Sequence, residues 1–331
     1  VSFAPVAVLR DDVLSHPATL VWADVVSDGG RPSRIEVLRE RTPTAAVYRL
    51  VGAGPGGTDV IAKYHPAGQG EAERFVYEHL LPQIPLSTPR CYGVRRVEAG
   101  QGKPAFWLLL EDVGTERYSD RNPDHLALVA RWVAALHRHA AELEAARGLP
   151  DAGPARYRLQ LIAARARLGD RLLRGGLAMD DRRVLADIIQ RLGRLEERWD
   201  ELAASCTGLP PTLVHGDFRP KNVYIRSDAG ALVCFPIDWE TAGWGVPAAD
   251  LTRIDVVAYW GLARTWHSGL NPDRVRRLAE LGQVFRTIAA IEWESTGLVF
   301  EAPAMISRPL ASLRVLLHRL REVLSTMGFD R

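Results

Sequence analysis

A His215-Gly216-Asp217 triplet is followed by Asn222 and then by Ile237-Asp238-Trp239-Glu240, and the segment between these acids constrains the fold more than any other stretch of the chain. Val223-Tyr224-Ile225 and Leu232-Val233-Cys234-Phe235 are β-type runs on either side of Ser227-Asp228-Ala229-Gly230, a pattern that predicts a hairpin with a polar, glycine-containing turn. A hairpin returns the chain to its start, so Asn222 at its entry and Asp238 past its exit are expected to meet. Pro236 removes a ladder donor, so pairing should end there and leave Asp238 to point at an ion. Two oxygen-bearing side chains at one point suit Mg²⁺. Asp217 on the same loop suits the proton of an acceptor hydroxyl. These are the parts that phosphoryl transfer from a nucleotide requires.

The whole chain bounds that reading. At 331 residues and 47% hydrophobic composition, it has the length for two lobes and the apolar content for a core in each, and reads as soluble and globular. A formal charge of +2 without basic blocks gives no reason to expect a nucleic-acid partner. Cys91, Cys206 and Cys234 are far apart and not in metal-ligand spacing, which points to a reducing compartment, the cytoplasm. The apolar start lacks a basic leader, and no run approaches a membrane span.

Only Lys63, Lys103 and Lys221 are lysines; every other cationic side chain of this type is arginine. A lysine inside an apolar strand therefore marks a position that needs a compact ammonium, and Lys63 is such a residue. Residues 35–41, 46–51 and 59–64 read as three antiparallel strands. In the third, Val60, Ala62 and Tyr64 share one face and Ile61 and Lys63 the other. A helix is expected over 71–81, where Glu73 flanks the apolar face and Glu78 lies further round. Glu73 is thus the better partner for Lys63, in an ion pair that places the ammonium over the α- and β-phosphates. Gly52-Ala53-Gly54-Pro55-Gly56-Gly57 satisfies a dinucleotide fingerprint literally, but a strand follows it rather than a helix, which makes it a hairpin turn. The loop placed to approach the phosphates is 41–45, through the hydroxyls and backbone of Thr42 and Thr44.

Phe106-Trp107-Leu108-Leu109-Leu110 reads as a buried strand that ends at Glu111-Asp112-Val113-Gly114, where the break in pattern puts the lobe boundary. The division expected is 1–111 for nucleotide binding and 112–331 for catalysis and acceptor binding. The nucleobase is expected to use backbone groups around Glu111, Asp112 and Val113, which leaves ATP and GTP both open. Helical patterns follow at 124–140, 157–174 and 181–202, and His137 on the first reads as a core histidine.

Taken with Leu136-His137 and Ala249-Asp250-Leu251, these motifs resemble the aminoglycoside phosphotransferase family, relatives of choline kinases with a protein-kinase-like fold. The resemblance implies an α+β architecture, with a five-stranded antiparallel amino-terminal lobe and a mainly helical carboxy-terminal one. It also implies Asp217 as catalytic base, Asn222 and Asp238 as Mg²⁺ ligands, Lys63 held by Glu73 as phosphate anchor, and Asp250 as a structural brace of the catalytic loop. Asp217-Phe218-Arg219-Pro220-Lys221-Asn222 follows the protein-kinase loop pattern, with Arg219 where those enzymes place a lysine near the γ-phosphate, so Arg219 is expected to steady the transferring group.

The expected partners are a nucleoside triphosphate and a small hydroxylated acceptor. Trp266, Glu292 and Glu294, with Trp293 between the two acids, mix acids with tryptophan and are the candidate acceptor pocket, suited to an amine; helical spacing alone would instead make Glu292 an exposed acid and Trp293 a core aromatic. The region lacks the dense acidic lining that a polycationic aminoglycoside calls for. Antibiotics, in which case the role would be resistance, and amino-alcohol or sugar metabolites all stay open as acceptors. The alternative from another class is a nucleotide-binding pseudokinase serving as a regulator or scaffold.

Overall fold

The structure, a computed structural model, describes residues 5–41, 45–66, 68, 70–99, 102–300 and 302–329. The chain forms two compact units, Val1–Trp132 with Phe218–Ala242, and Val133–Asp217 with Gly243–Arg331. Positions 111 and 112 both lie in the first unit, and the hairpin after Asn222 belongs to that unit as well.

The first unit is built on an antiparallel sheet in the order β1-β2-β3-β4-β6-β5. Its strands are β1 (Ala7–Leu9), β2 (Arg34–Arg41), β3 (Ala45–Val51), β4 (Val60–Pro66), β5 (Cys91–Ala99) and β6 (Lys103–Glu111). The three strands read from alternation are β2, β3 and β4. The five strands implied by resemblance are joined by a sixth, β1, whose register runs Ala7↔Val37 to Leu9↔Ile35. It is three residues long and exposes Val8, so it has no alternating pattern to betray it; the free edge of β2 supplies its order.

Period-2 alternation sorts the two faces of β4 as expected. Val60 and Ala62 are in a core with Ile35, Leu50, Trp107 and Leu109, which is covered by α1 (Pro17–Val25) through the buried Trp22. Lys63 and His65 take the opposite face. There the helix expected over 71–81 is regular only from Glu71 to Phe75 (α2); it widens to a π-helical turn over Val76–Leu80 and closes in a 3₁₀ turn at Leu81–Gln83. The glycine-rich run lies in the β3–β4 connection, with positive φ at Gly52, Gly56 and Gly57. It is a turn, as its context required.

The hairpin consists of β8 (Val223–Asp228) and β9 (Ala231–Pro236), paired from Val223↔Pro236 to Asp228↔Ala231. Its turn is the two residues Ala229 and Gly230, both at positive φ, the geometry that matches the twist of paired strands. Backbone bonds from Tyr118 to Val223 and from Ile225 to Glu116 tie it to the chain after β6. Phe218 and Trp239 are fully buried, and the ring of each packs near that of Trp132.

The second unit is helical. Its long elements are α4 (Pro154–Leu173), α5 (Met179–Glu197), α8 (Pro272–Thr296) and α9 (Pro303–Thr326). The short α6 (Trp199–Ala204) and α7 (Val256–Ala263) complete the set, and α3 (Pro123–Ala140) contributes residues to both units. The helix expected over 181–202 is thus split at Arg198 into α5 and α6. Two three-residue strands, β7 (Thr212–Val214) and β10 (Gly243–Gly245), pair antiparallel and lead into His215. The 3₁₀ segment Pro247–Leu251 carries Asp250. It packs on α8 at Gly282, where a Cβ would stand 1.9 Å from the Ala248 carbonyl oxygen, so no other residue permits that approach. No helix among the described residues is long and apolar enough to cross a membrane.

Candidate active site

In the first unit, Lys63 Nζ donates to both carboxylate oxygens of Glu73, at 2.8 and 2.7 Å, and lies 3.2 Å from Asp238 Oδ1. Glu78 pairs with Arg74 instead, as its place on the helix implied. Glu73 is completely buried; it also accepts from the Trp239 N–H at 3.3 Å, and His65 Nε2 lies 3.3 Å from its Oε2. Burial alone would lower the Lys63 ammonium's pKa, but Glu73, with Asp238 and Glu240 behind it, raises it above the ordinary lysine value. Burial would likewise raise the Glu73 carboxyl, and Lys63 followed by His65 reverses this and lowers it. Both groups stay charged, which is how an ion pair is kept inside a protein. His65 escaped the sequence reading although its signal was there: two residues beyond Lys63 on one strand, it shares the same face.

Lys63, Glu73, Asn222 and Asp238 line one cavity, with Glu111, Asp112 and Val113 on its wall. Asn222 and Asp238, at the two ends of the hairpin, both line this cavity. The ladder ends at Pro236, and one further bond, Ile237 N–H to the Asn222 carbonyl at 2.8 Å, draws the two ends together. Asp238 then adopts a left-handed conformation, φ 68° and ψ 60°, a strained state that aspartate tolerates better than most residues and that turns its chain out of the strand. His65, Glu73 and Glu240 also cluster closely, but the Lys63 ammonium already sits on Glu73, so this is an ion-pair cluster.

The Glu111 and Asp112 side chains are committed to the scaffold. Glu111 accepts from Arg226 and from the Arg90 N–H, and Asp112 accepts from Arg49 and from the Gly114 N–H. Arg49, which bridges Asp112 and Glu36, was not singled out from the sequence. Thr42 and Thr44, named for the phosphate loop, lie outside the described residues. Of the two cations on the 217–222 loop, Lys221 is the one that lines this cavity.

The second unit holds Asp217 and its supports. Asp250 is fully buried and accepts from the His215 N–H at 2.7 Å and the Gly216 N–H at 2.9 Å, with His137 Nε2 at 3.4 Å. His137 Nδ1 lies 3.0 Å from the Tyr259 hydroxyl, so it is the core histidine that its helix position suggested. Gly216 has φ 77°, a conformation that glycine takes at little cost. The Asp217 N–H then donates to His215 Nδ1 at 3.3 Å. Asp217 Oδ1 itself accepts from Arg286 Nη2 at 2.7 Å. Nothing in the sequence marks Arg286; α8 brings it there, one helical turn beyond Gly282.

The acceptor candidates are placed differently from one another. Glu292 is in an ion pair with Arg167 of α4, Glu294 is half-buried, and Trp266 stands beside His267 with ring centroids 6.3 Å apart. The neighbouring Trp293 is 62% exposed, where helical spacing favoured a core aromatic.

Comparison with known proteins decides the family. The model of the phosphotransferase enzyme family matches residues 44–296. The chain belongs to that family. A search of curated proteins finds no match. Solved structures show a protein-kinase-like fold. A GDP complex of wild-type aminoglycoside 2'-phosphotransferase-IIIa aligns with TM-score 0.60 at 16% identity, over 91% of this chain and 97% of that one. Choline kinase from Cryptosporidium parvum aligns with TM-score 0.58 at 13% identity, over 89% and 91%. A microcompartment-associated aminopropanol kinase aligns with TM-score 0.57 at 15% identity, over 94% and 97%. The resemblance read from the motifs is thereby borne out, as is the α+β, kinase-like fold. The family member described here is a phosphotransferase.

Proposed function

We propose that this phosphotransferase moves the γ-phosphoryl group of ATP or GTP to a hydroxyl of a small molecule, with Asp217 as the base. The observation that carries the reading is the Lys63 ammonium, fixed by both oxygens of a buried Glu73 and 3.2 Å from Asp238, on the wall of one cavity with Asn222. A buried carboxylate that clamps a lysine in place makes a directed phosphate ligand, and lysine binds phosphate as a point charge.

Asn222 and Asp238 would hold Mg²⁺. The fit is supported by their oxygen donors, by their shared cavity, and by the Asp238 backbone strained to leave its strand. When bound, the ion neutralises charge that gathers on the β- and γ-phosphate oxygens. Asp217 orients the acceptor hydroxyl and takes its proton as the new O–P bond forms and the bond to the β-phosphate oxygen breaks, leaving the nucleoside diphosphate. Glu111, Asp112 and Val113 serve the nucleobase through backbone groups, since the two acidic side chains are occupied elsewhere. Structural neighbours that are kinases of an aminoglycoside, choline and aminopropanol support a small hydroxylated acceptor as the class.

The test is nucleotide turnover with Mg²⁺ over a panel of hydroxylated antibiotics, sugars, amino alcohols and hydroxy acids. Acceptor-dependent diphosphate release with a phosphorylated product is expected. Nucleotide binding without transfer to any of them would favour the pseudokinase.

The loop cations can be separated by a binding measurement. Arg219 follows the protein-kinase pattern, but Lys221 is one of only three lysines and lines the cavity with Lys63. Lys221→Ala is expected to weaken a non-hydrolysable triphosphate about tenfold and the diphosphate less than twofold, and Arg219→Ala to change neither ratio. The opposite pattern in titration calorimetry would return the role to Arg219.

A further inference from the structure

The guanidinium on Asp217 carries a consequence for the acceptor. Arg286 Nη2 lies 2.7 Å from Asp217 Oδ1, and the two side chains are only 14% and 18% exposed. A guanidinium stays protonated in proteins, so a permanent positive charge stands where the acceptor hydroxyl must be presented. Its placement is built into the fold: Gly282 brings α8 against the segment that carries Asp250, Asp250 holds the loop of Asp217, and Arg286 follows one turn later on α8.

The same face of α8 continues with small side chains at Ala289 and Ala290. Trp293, seven residues past Arg286, comes round to within about 20° of it and about 10 Å further along the axis. Its indole is largely exposed. The acid offered for an amine, Glu292, is consumed by Arg167, and Glu294 stands about 80° round the helix from Arg286.

We propose that Arg286 selects the acceptor by charge: the hydroxyl is flanked by a carboxylate rather than an ammonium, and the acceptor's apolar end lies along α8 toward Trp293. This rests on Asp217 being the base. A carboxylate on the acceptor matches the planar fork of a guanidinium and draws it from Asp217, whose Oδ1 is then released to accept the hydroxyl. An ammonium in the same place meets a like charge at close range and leaves the Arg286–Asp217 pair closed.

Three probes vary the charge near the hydroxyl: 3-phenyllactate, 3-phenylpropane-1,2-diol and phenylalaninol share a phenyl group and carry a carboxylate, a second hydroxyl or an ammonium next to the carbon that bears a hydroxyl. Titrated into the full chain with Mg²⁺ and ADP, phenyllactate is expected to bind about 30-fold tighter than phenylalaninol, with the diol between them. Arg286→Lys should keep the order, Arg286→Gln should bring all three within about threefold, and Arg286→Glu should invert it. Trp293→Ala should weaken all three by a similar factor and keep the order. Thermal melts show which variants are folded, and the Gln and Lys variants decide if the Glu variant is not. Equal or tighter binding of phenylalaninol to the wild type, an order unchanged by Arg286→Gln, or no saturation by any probe at millimolar concentration overturns the proposal. Because binding needs no transfer, a preserved charge order with no phosphorylated product from the whole acceptor panel would reject the phosphotransfer reading and leave the charge selection by Arg286 standing.

Discussion

Asp217→Asn is expected to lower turnover by about 10²- to 10⁴-fold with whichever acceptor the wild type uses, the range that general-base assistance supplies. The amide keeps the shape of the side chain and an oxygen that can accept from Arg286, so the contact seen at 2.7 Å can persist. The loop supports are untouched, since His215 and Gly216 are held through their backbone N–H groups by Asp250. Only the capacity to take a proton is lost. Nucleotide affinity should stay within about twofold, because Lys63, Asn222 and Asp238 form their own cavity. Single-turnover measurements at saturating acceptor isolate the step. If kcat is preserved and only the acceptor KM rises, Asp217 serves binding and not the proton transfer. A loss below about tenfold in both would remove it from the base's role.

The parts of this site that could be read from the sequence are those set by local geometry. Lys63 and Glu73 are ten residues apart, and strand alternation with helical periodicity was enough to pair them. Asn222 and Asp238 are joined by a hairpin whose turn chemistry is local, and the structure returns them to one cavity wall. What escaped depends on contacts between distant segments. Arg286 reaches Asp217 only because Gly282 lets α8 close on the Pro247–Leu251 segment, and no periodicity within α8 announces that partner. Trp293 looked like a core residue because helical spacing says which residues share a face, not whether a neighbour covers that face. β1 is ordered by the edge of β2 and not by its own three residues. The widening of the helix after Phe75 hid for a related reason, since the apolar spacing over 71–81 fits a regular α-helix.

Asp250→Ala is expected to cost about 3 kcal/mol of stability. The carboxylate is fully buried and satisfies two backbone N–H groups and His137, and each buried donor left without a partner costs on the order of 1–3 kcal/mol. Asp250→Asn keeps the volume but turns one acceptor into a donor facing donors, so it should fall between the two. Burial by itself would raise the Asp250 carboxyl; the His137 hydrogen bond, electrostatic attraction toward His137 and His215 and the His215 N–H together hold it below the ordinary aspartate value. A carboxyl whose folded pKa is depressed stabilises the fold above its unfolded pKa, near ~3.9, and that contribution is lost as pH falls through the folded value. The gap between wild type and Asp250→Asn in urea unfolding should therefore be full at pH 7 and shrink below about pH 4. A gap that stays constant into acid would mean that the neutral acid serves the loop as well as the carboxylate does. With Asp250→Asn still folded, nucleotide affinity should be unchanged while turnover drops, since it is the loop of Asp217 that loosens and not the pocket of Lys63.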